Sequence, residues 1–379
     1  MRKPLARLLR KHILNRSVLT HVELIGAWAK YVRSGPDVLP DYSLPPPDVD
    51  GQSIVAIFAV YQNGKLSSNA DAYLRSLVER GVKVFVVNNG KLDESEAQRV
   101  RGMALCYHER PSGLGRDFAS FKTGVSLVRR WEGARPAARE YLFANDSVFV
   151  IPDRIGPFLE RYLSRAKDWG GVTESCDVRY HVSSWFFSVS AKVWSSPAFV
   201  GYWERYKPLH SRRHAIHEGE IGLSQVLLEA RVAPHIEYPA ERFLSVLGGA
   251  SWPEVVRFCG LLPQGHSEKY AKFIADKLVA ESSEEAKKAL LLGIFLREQD
   301  HTNQTAFWQL YAGLSSDFPF IKRDVYSRKV FSLAQMRHFQ AAFVQGDARR
   351  EAIVSALLNT VDANGLTGLK RLRWEYGLD

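Results

Sequence analysis

The chain has no run of apolar residues long enough to cross a bilayer. Its longest strongly apolar stretch, residues 289–296, is far shorter than the roughly 20 residues a spanning helix needs. Cysteine is scarce: Cys106, Cys176 and Cys259 are scattered and form no CxxC pair. That excludes a disulfide framework and a cysteine-built zinc site, and fits a reducing cytoplasm. Also missing is any interleaving of basic with aromatic residues in a known nucleic-acid motif. The net charge of +10 therefore points to solvated surface and to anionic lipid or phosphorylated small molecules, not to nucleic acid. One segment lacks acids altogether. Residues 2–16 carry Arg2, Lys3, Arg7, Arg10, Lys11 and Arg16, with Leu5, Leu8, Leu9 and Ile13 between them at helical spacing. This is the composition of an interfacial membrane anchor; a helix packed on its own domain is the alternative. Its apolar residues never join into the continuous core of a secretory signal.

What is present describes a soluble globular protein. Its 379 residues are 46% hydrophobic and 24% charged, enough for one large or two medium domains. Ser17 opens a second helix with Val18, Val22, Ile25, Trp28 and Val32 on one face, ended by Ser34-Gly-Pro36. The helical segment 1–35 leads into a stiff linker, 36–52, which carries Pro36, Pro40 and Pro45-Pro46-Pro47. Strands are expected at 53–61, 82–87, 103–107, 141–150, 170–175, 184–193 and 235–238. Helices are expected at 69–80, 93–101, 118–131, 152–166, 197–206 and 219–230. That alternation, over 53–262, is the α/β pattern of a mostly parallel, Rossmann-like sheet flanked by helices. Residues 263–379 read as a helical C-terminal region, with helices at 268–298 and 333–358 and no strand alternation.

Chemistry concentrates where strands end. Tyr141-Leu-Phe-Ala-Asn-Asp-Ser147 is an apolar strand running into an amide, a carboxylate and a hydroxyl. Such a triplet is either a turn satisfying nearby backbone groups or a ligand site at the carboxyl end of a central strand. Gly113-Leu-Gly115 follows a strand and opens a helix, but Phe118 stands where a dinucleotide fingerprint needs its third glycine. Arg116 and Asp117 at that helix start favour phosphate, or else Asp117 is an ordinary cap. Asn88 and Asn89 end the second strand, as turn residues or as donor contacts.

Taken in order, Gly113-Leu-Gly-Arg-Asp-Phe118 and Tyr141-Leu-Phe-Ala-Asn-Asp-Ser147 begin a longer series. Asp168-Trp-Gly-Gly-Val-Thr-Glu-Ser175, His181-Val-Ser-Ser-Trp-Phe186, Gly219-Glu-Ile-Gly-Leu-Ser-Gln225 and Phe318-Pro-Phe-Ile-Lys322 complete it. Over about residues 53–330 the series resembles the rhamnan-synthesis F family of bacterial polysaccharide glycosyltransferases. The resemblance implies a GT-A fold and a nucleotide-sugar donor held by Tyr61, Asn88, Asn89, Gly115, Arg116, Asp117, Asn145, Asp146 and Ser147. It implies Mg²⁺ or Mn²⁺ at Asp146. The motif departs from the usual pattern in having one carboxylate where two are typical, which leaves metal dependence open, because Mg²⁺ can bind through one or two carboxylates. It further implies a carboxylate base at Glu220, with Glu218 beside it, to take the proton of the acceptor hydroxyl. An acid in a first helical turn would look the same in sequence. Glu174, His181, Ser183, Ser184, Trp185 and His217 are expected on the acceptor or sugar side. The expected activity is transfer of a sugar, foremost rhamnose from dTDP-L-rhamnose, to a lipid-linked polysaccharide such as O-antigen, with inversion. The site would be cytoplasmic, at the inner face of the plasma membrane, with the basic N-terminus on anionic lipid. The rival is a non-catalytic glycan-binding or scaffold protein with the same fold.

Overall fold

The structure is a computed structural model that describes residues 16–35, 39–47, 51–110, 112–176, 178–262, 270–272, 283–298, 317–323 and 331–363. The basic segment 2–15 lies outside them. Strand β1 (Ile54–Val60) is apolar at every position and buried at every position, the signature of a strand covered on both faces. Beside it lie β2 (Lys83–Asn88), β3 (Cys106–Glu109) and β4 (Glu140–Asn145). Further along the chain come β5 (Val148–Val150), β6 (Trp169–Gly171), β7 (Glu174–Ser175), β8 (His181–Val182), β9 (Phe186–Ser190), β10 (Pro234–Ile236) and β11 (Phe320–Lys322). Seven strands form one sheet in the order β10-β6-β9-β4-β1-β2-β3. β9 alone runs against its neighbours β4 and β6; the other pairings are parallel.

Alternating residues of β1 serve the two layers. Ala56, Phe58 and Val60 pack with Tyr73, Leu74 and Leu77 and with Phe158, Leu159 and Tyr162. Val55, Ile57 and Ala59 pack with Phe118, Phe121 and Val128 and with Phe199, Tyr202 and Trp203. The helices that supply these residues follow α1 (Arg16–Ser34). They are α2 (Ser68–Val78) and α5 (Pro152–Ser164) on the first face, α4 (Arg116–Glu132) and α6 (Pro197–Arg205) on the second; α3 (Glu94–Arg101) lies between β2 and β3 in sequence. A mixed α/β sheet flanked by helices is thus the observed class.

Several local readings change. The expected strand 170–175 is two strands, β6 and β7, in different sheets. The expected strand 184–193 is shorter, β9 giving way to a helical turn at Ala191–Trp194. The expected single strand 141–150 is two strands in different sheets. Asn145 Oδ1 accepts the Ser147 N–H at 3.0 Å and its hydroxyl at 2.6 Å, an Asx-type turn that ends β4. Residues 103–105 finish the turn after α3, so β3 starts at Cys106. The expected helix 219–230 begins earlier: a π-helical turn, Ala215–Ile221, precedes α7 (Gly222–Glu229). The C-terminal region is not purely helical, for β11 pairs antiparallel with β5. Part of the linker is packed as well as extended: Trp131 Nε1 donates to Pro45 O at 2.7 Å, and Tyr42 OH meets His108 Nδ1 at 2.8 Å.

Candidate functional site

β1 is flanked by β2 on one side and by β4 on the other, so the chain order reverses between β1 and β4. Open sheets bind ligands outside the carboxyl ends of their strands at such a switch point. Here that position holds a cleft of about 420 Å³, lined by Tyr61 after β1, Asn89 after β2, and Asn145, Asp146 and Ser147 after β4, with Gly113, Arg116, Asp117 and His210 around them.

The wall at the start of α4 is a left-handed turn. Gly113, Gly115 and Arg116 have φ of 56°, 84° and 59°. A Cβ on Gly115 would fall 2.6 Å from Pro208 O and 2.6 Å from the Ala119 Cβ. Both its backbone angle and its tight seat therefore require glycine. The Gly115 N–H donates to His210 Nδ1 at 3.2 Å, so a neutral His210 carries its proton on Nε2. Burial and then the charges of Arg116 and Lys30 lower the His210 pKa, which keeps the ring neutral near pH 7.

Opposite, Asp146 Oδ2 accepts the Tyr61 N–H at 3.2 Å and bonds Gln62 Nε2, with Arg323 Nη2 at 3.8 Å. Asn145 Nδ2 donates to Asp117 Oδ2 at 3.0 Å, tying the two walls together. Burial, and then the negative charge of Glu220, push the Asp117 carboxyl above its ordinary value.

Seven of the nine expected donor residues line the cleft. The other two stand behind it. Asn88 is fully buried: its Oδ1 accepts the Gln62 and Gly90 N–H groups, each at 3.0 Å, and its Nδ2 donates to Gln62 O at 3.0 Å. It shapes the loop instead of touching a ligand. Gly115 holds the turn from beneath.

The acceptor-side expectations divide. Glu220 lies in the π-helical turn, not at a helix start. Its Oε1 accepts the Ser184 N–H at 2.7 Å and its Oε2 lies 4.0 Å from His181 Nε2. His181 is buried, and its Nδ1 faces Arg179 O at 2.8 Å, so Nδ1 must be the protonated nitrogen. Glu174 accepts the Tyr180 hydroxyl at 2.7 Å. His217 and Glu218 are exposed and do not line the cleft. Ser183 is buried, its hydroxyl accepting from Thr173 Oγ1 at 2.9 Å. Trp185 is the plain correction. It is 2% exposed, its ring meets Phe320 edge-on at 4.8 Å, and it belongs to the core. An apolar indole between two strands is worth more buried than presented to a polar sugar.

Three site residues escaped the sequence reading. Gln62 follows β1 by two residues, the strand-end position that should have drawn attention. His210 and Arg323 gave no such sign. His210 comes from the loop after α6 and Arg323 from the residue after β11; only the tertiary fold brings them here.

The donor set does not fit a divalent cation well. Among the described residues no group of three or more His, Cys, Asp or Glu is placed to hold a metal. One Asp146 oxygen already takes two N–H donors and faces a guanidinium, and a cation there would share that carboxylate with Arg323 against mutual repulsion.

No family model matches the chain. An uncharacterized protein, y4gN, of Sinorhizobium fredii strain NBRC 101917 / NGR234 is 26% identical over 176 residues, which is 45% of this chain and 45% of that protein. The chain thus matches less than half the length of this relative. Among solved structures, a 4-diphosphocytidyl-2C-methyl-D-erythritol synthase from Anaerococcus prevotii DSM 20548 aligns over 50% of this chain and 88% of its own, at 12% identity and a TM-score of 0.30. A glycosyltransferase involved in glycosylation of the major capsid of PBCV-1 aligns over 48% and 81%, at 10% identity and a TM-score of 0.28.

Proposed function

We propose that this chain is a GT-A-type glycosyltransferase that takes a sugar from a nucleotide-sugar donor. The observation that carries this reading is the cleft at the β1/β4 switch point, where the Gly113–Arg116 turn and the Asn145–Ser147 turn face each other. The Arg116 guanidinium at the start of α4 suits a diphosphate. In the transfer, the bond between the anomeric carbon and the diphosphate oxygen breaks, and its electron pair leaves with the diphosphate. The acceptor hydroxyl oxygen bonds to that carbon and its proton passes to a carboxylate, for which Glu220 is the candidate. Asp117 bonds Asn145 and feels the Glu220 charge, which puts the candidate base within electrostatic reach of the donor wall although it does not itself line the cleft.

The finer assignment follows the family resemblance: rhamnose from dTDP-L-rhamnose, an inverted linkage, and a lipid-linked bacterial polysaccharide as acceptor. Among the described residues no helix is long and apolar enough to span a membrane. The expected membrane contact, through the basic N-terminal segment, is peripheral and at the inner face of the plasma membrane. A thermal-shift screen against dTDP-, UDP- and GDP-sugars tests the donor, because a specific ligand raises apparent stability by mass action. Incubation of the stabilising donor with a lipid-linked glycan, followed by mass spectrometry, tests transfer. If no nucleotide sugar moves the melting temperature and none is consumed, the reading fails.

A further inference from the structure

The carboxylate after β4 stands beside a cation that the protein itself supplies. β11 pairs antiparallel with β5, with Lys322 opposite Val148 and Phe320 opposite Val150. The next residue continues the ladder, as the Arg323 N–H donates to Ser147 O at 2.9 Å. This fixes the Arg323 backbone one residue from Asp146. The side chain then lies over the Phe149 ring at 5.4 Å and brings Nη2 to 3.8 Å from Asp146 Oδ2. It is 30% exposed, so a ligand can reach it.

The anchorage is strong. Phe320 is buried among Tyr73, Phe158, Trp185 and Phe186, and Ile321 joins the cluster that holds Phe331, Met336 and Phe339. A segment more than 170 residues downstream of Ser147 is thus held firmly where it delivers one guanidinium to the cleft edge.

We infer that Arg323 is a diphosphate-binding residue of this site, and that it supplies the positive charge there in place of a divalent metal ion. The inference rests on the donor reading above for the identity of the ligand, but the shared chemistry is any diphosphate. A guanidinium offers several fixed N–H donors to phosphate oxygens, and Arg116 stands on the opposite wall. Asp146 then acts as a positioning residue: it holds the Tyr61 and Gln62 loop and orients Arg323.

The test is calorimetric titration of inorganic diphosphate into the full-length protein, in EDTA and again with MgCl₂, using wild type, Arg323→Ala, Arg323→Lys and Asp146→Asn. Wild type is expected to bind in EDTA. Arg323→Ala should weaken that binding roughly tenfold to a hundredfold, the worth of one or two charged hydrogen bonds, while Arg323→Lys recovers part of it. Asp146→Asn loosens the hold on Arg323 but also removes a negative charge facing the ligand, so it should change the affinity in EDTA by less than Arg323→Ala does. Binding that requires Mg²⁺, is lost in Asp146→Asn and is indifferent to Arg323→Ala would overturn the inference. A thermal melt of each variant guards against misfolding; should Arg323→Ala be unstable, Arg323→Lys and Asp146→Asn still decide. The two readings fail separately. Nucleotide-sugar transfer that depends on metal and not on Arg323 sinks this inference alone. Arg323-dependent diphosphate binding without any sugar transfer sinks the transferase reading and leaves this one standing.

Discussion

Arg116 is the one non-glycine residue of the cleft turn with a left-handed backbone, at φ 59°. Such a conformation strains an L residue by about 1 kcal/mol or more, and strain of this kind collects where a side chain is needed at a fixed place. Arg116→Gly should relieve it, with the gain partly offset by the extra freedom of glycine in the unfolded chain. Denaturant unfolding is expected to show stability unchanged or raised by up to about 1 kcal/mol, whereas Arg116→Ala keeps the strain and gains nothing. Both should bind diphosphate more weakly; undiminished binding would remove Arg116 from the site. Glu220 allows a second separation. As a base it acts on the acceptor, so Glu220→Gln should keep donor affinity and lose on the order of 10²–10⁴ in turnover. The same variant has a signature at Asp117. Burial raises the Asp117 carboxyl first and the Glu220 charge raises it next, so Glu220→Gln should lower its pKa while burial keeps it above the ordinary value. Carboxyl-carbon chemical shifts followed against pH would read this. The sign for stability follows: a raised carboxyl binds its proton more readily folded than unfolded. It favours the fold at pH below its unfolded value, and that contribution is lost as pH rises through the folded value. The loss should be smaller in Glu220→Gln, and an identical Asp117 titration in both proteins would place Glu220 too far away to act with it.

At the scale of elements, strands buried on both faces could be read from composition alone. β1 and β2 are apolar runs bounded by polar turns, and their expected limits differ from the observed ones by a residue or so. What could not be read was where pairing stops. Residues 148–150 are as apolar as residues 141–144, so one strand was the natural reading; the break comes from the Asn145 side chain capturing Ser147, which makes the following segment pair elsewhere. Trp185 misled for a related reason. The motif His181–Phe186 does approach Glu220 through the Ser184 N–H, but Trp185, in the turn before β9, packs its indole into the core against a segment more than 130 residues away in sequence. β11 itself was invisible, because a three-residue strand has no periodicity. Its importance can be measured. Phe320→Ala empties a site surrounded by aromatic rings and should cost about 3–5 kcal/mol in urea unfolding. In the fraction that stays folded it should also weaken diphosphate binding, through the displaced Arg323. Trp185→Ala should destabilise similarly, while the KM for acceptor of any folded Trp185→Phe protein should not change. A rise in that KM alone would return the indole to the acceptor site.

For the molecule as a whole, the question is how its basic, apolar N-terminal end meets the rest. α1 has two opposed faces. Ala27 is buried, Glu23 accepts the Ser211 hydroxyl at 2.6 Å, and Tyr31 and Ser34 border a second cleft against α4; these share one side at helical spacing. Ile25, Trp28 and Val32 share the other and are 68%, 42% and 60% exposed. The apolar face foreseen from the sequence is therefore real but points outward, and the polar face does the packing. The Lys207 ammonium stands 4.8 Å over the Trp28 ring. An exposed apolar stripe with a tryptophan and a lysine beside it suits the interface of an anionic bilayer. Neutralising Arg7, Arg10 and Lys11 should weaken binding to anionic vesicles by up to about 1 kcal/mol per charge. Replacing Ile25, Trp28 and Val32 together with serine should weaken it on neutral and anionic vesicles alike, because the lost term is apolar burial. Turnover on a short, soluble acceptor should survive both changes: Ile25, Trp28 and Val32 do not line the cleft, and the basic segment is expected to act on lipid alone. Vesicle co-sedimentation at two salt concentrations separates the terms: the arginine and lysine contribution fades with salt, and the stripe's does not. If the serine variant sediments with vesicles as wild type does, the outward face of α1 serves something other than lipid, and a shift in the protein's own oligomeric state would be the next quantity to weigh.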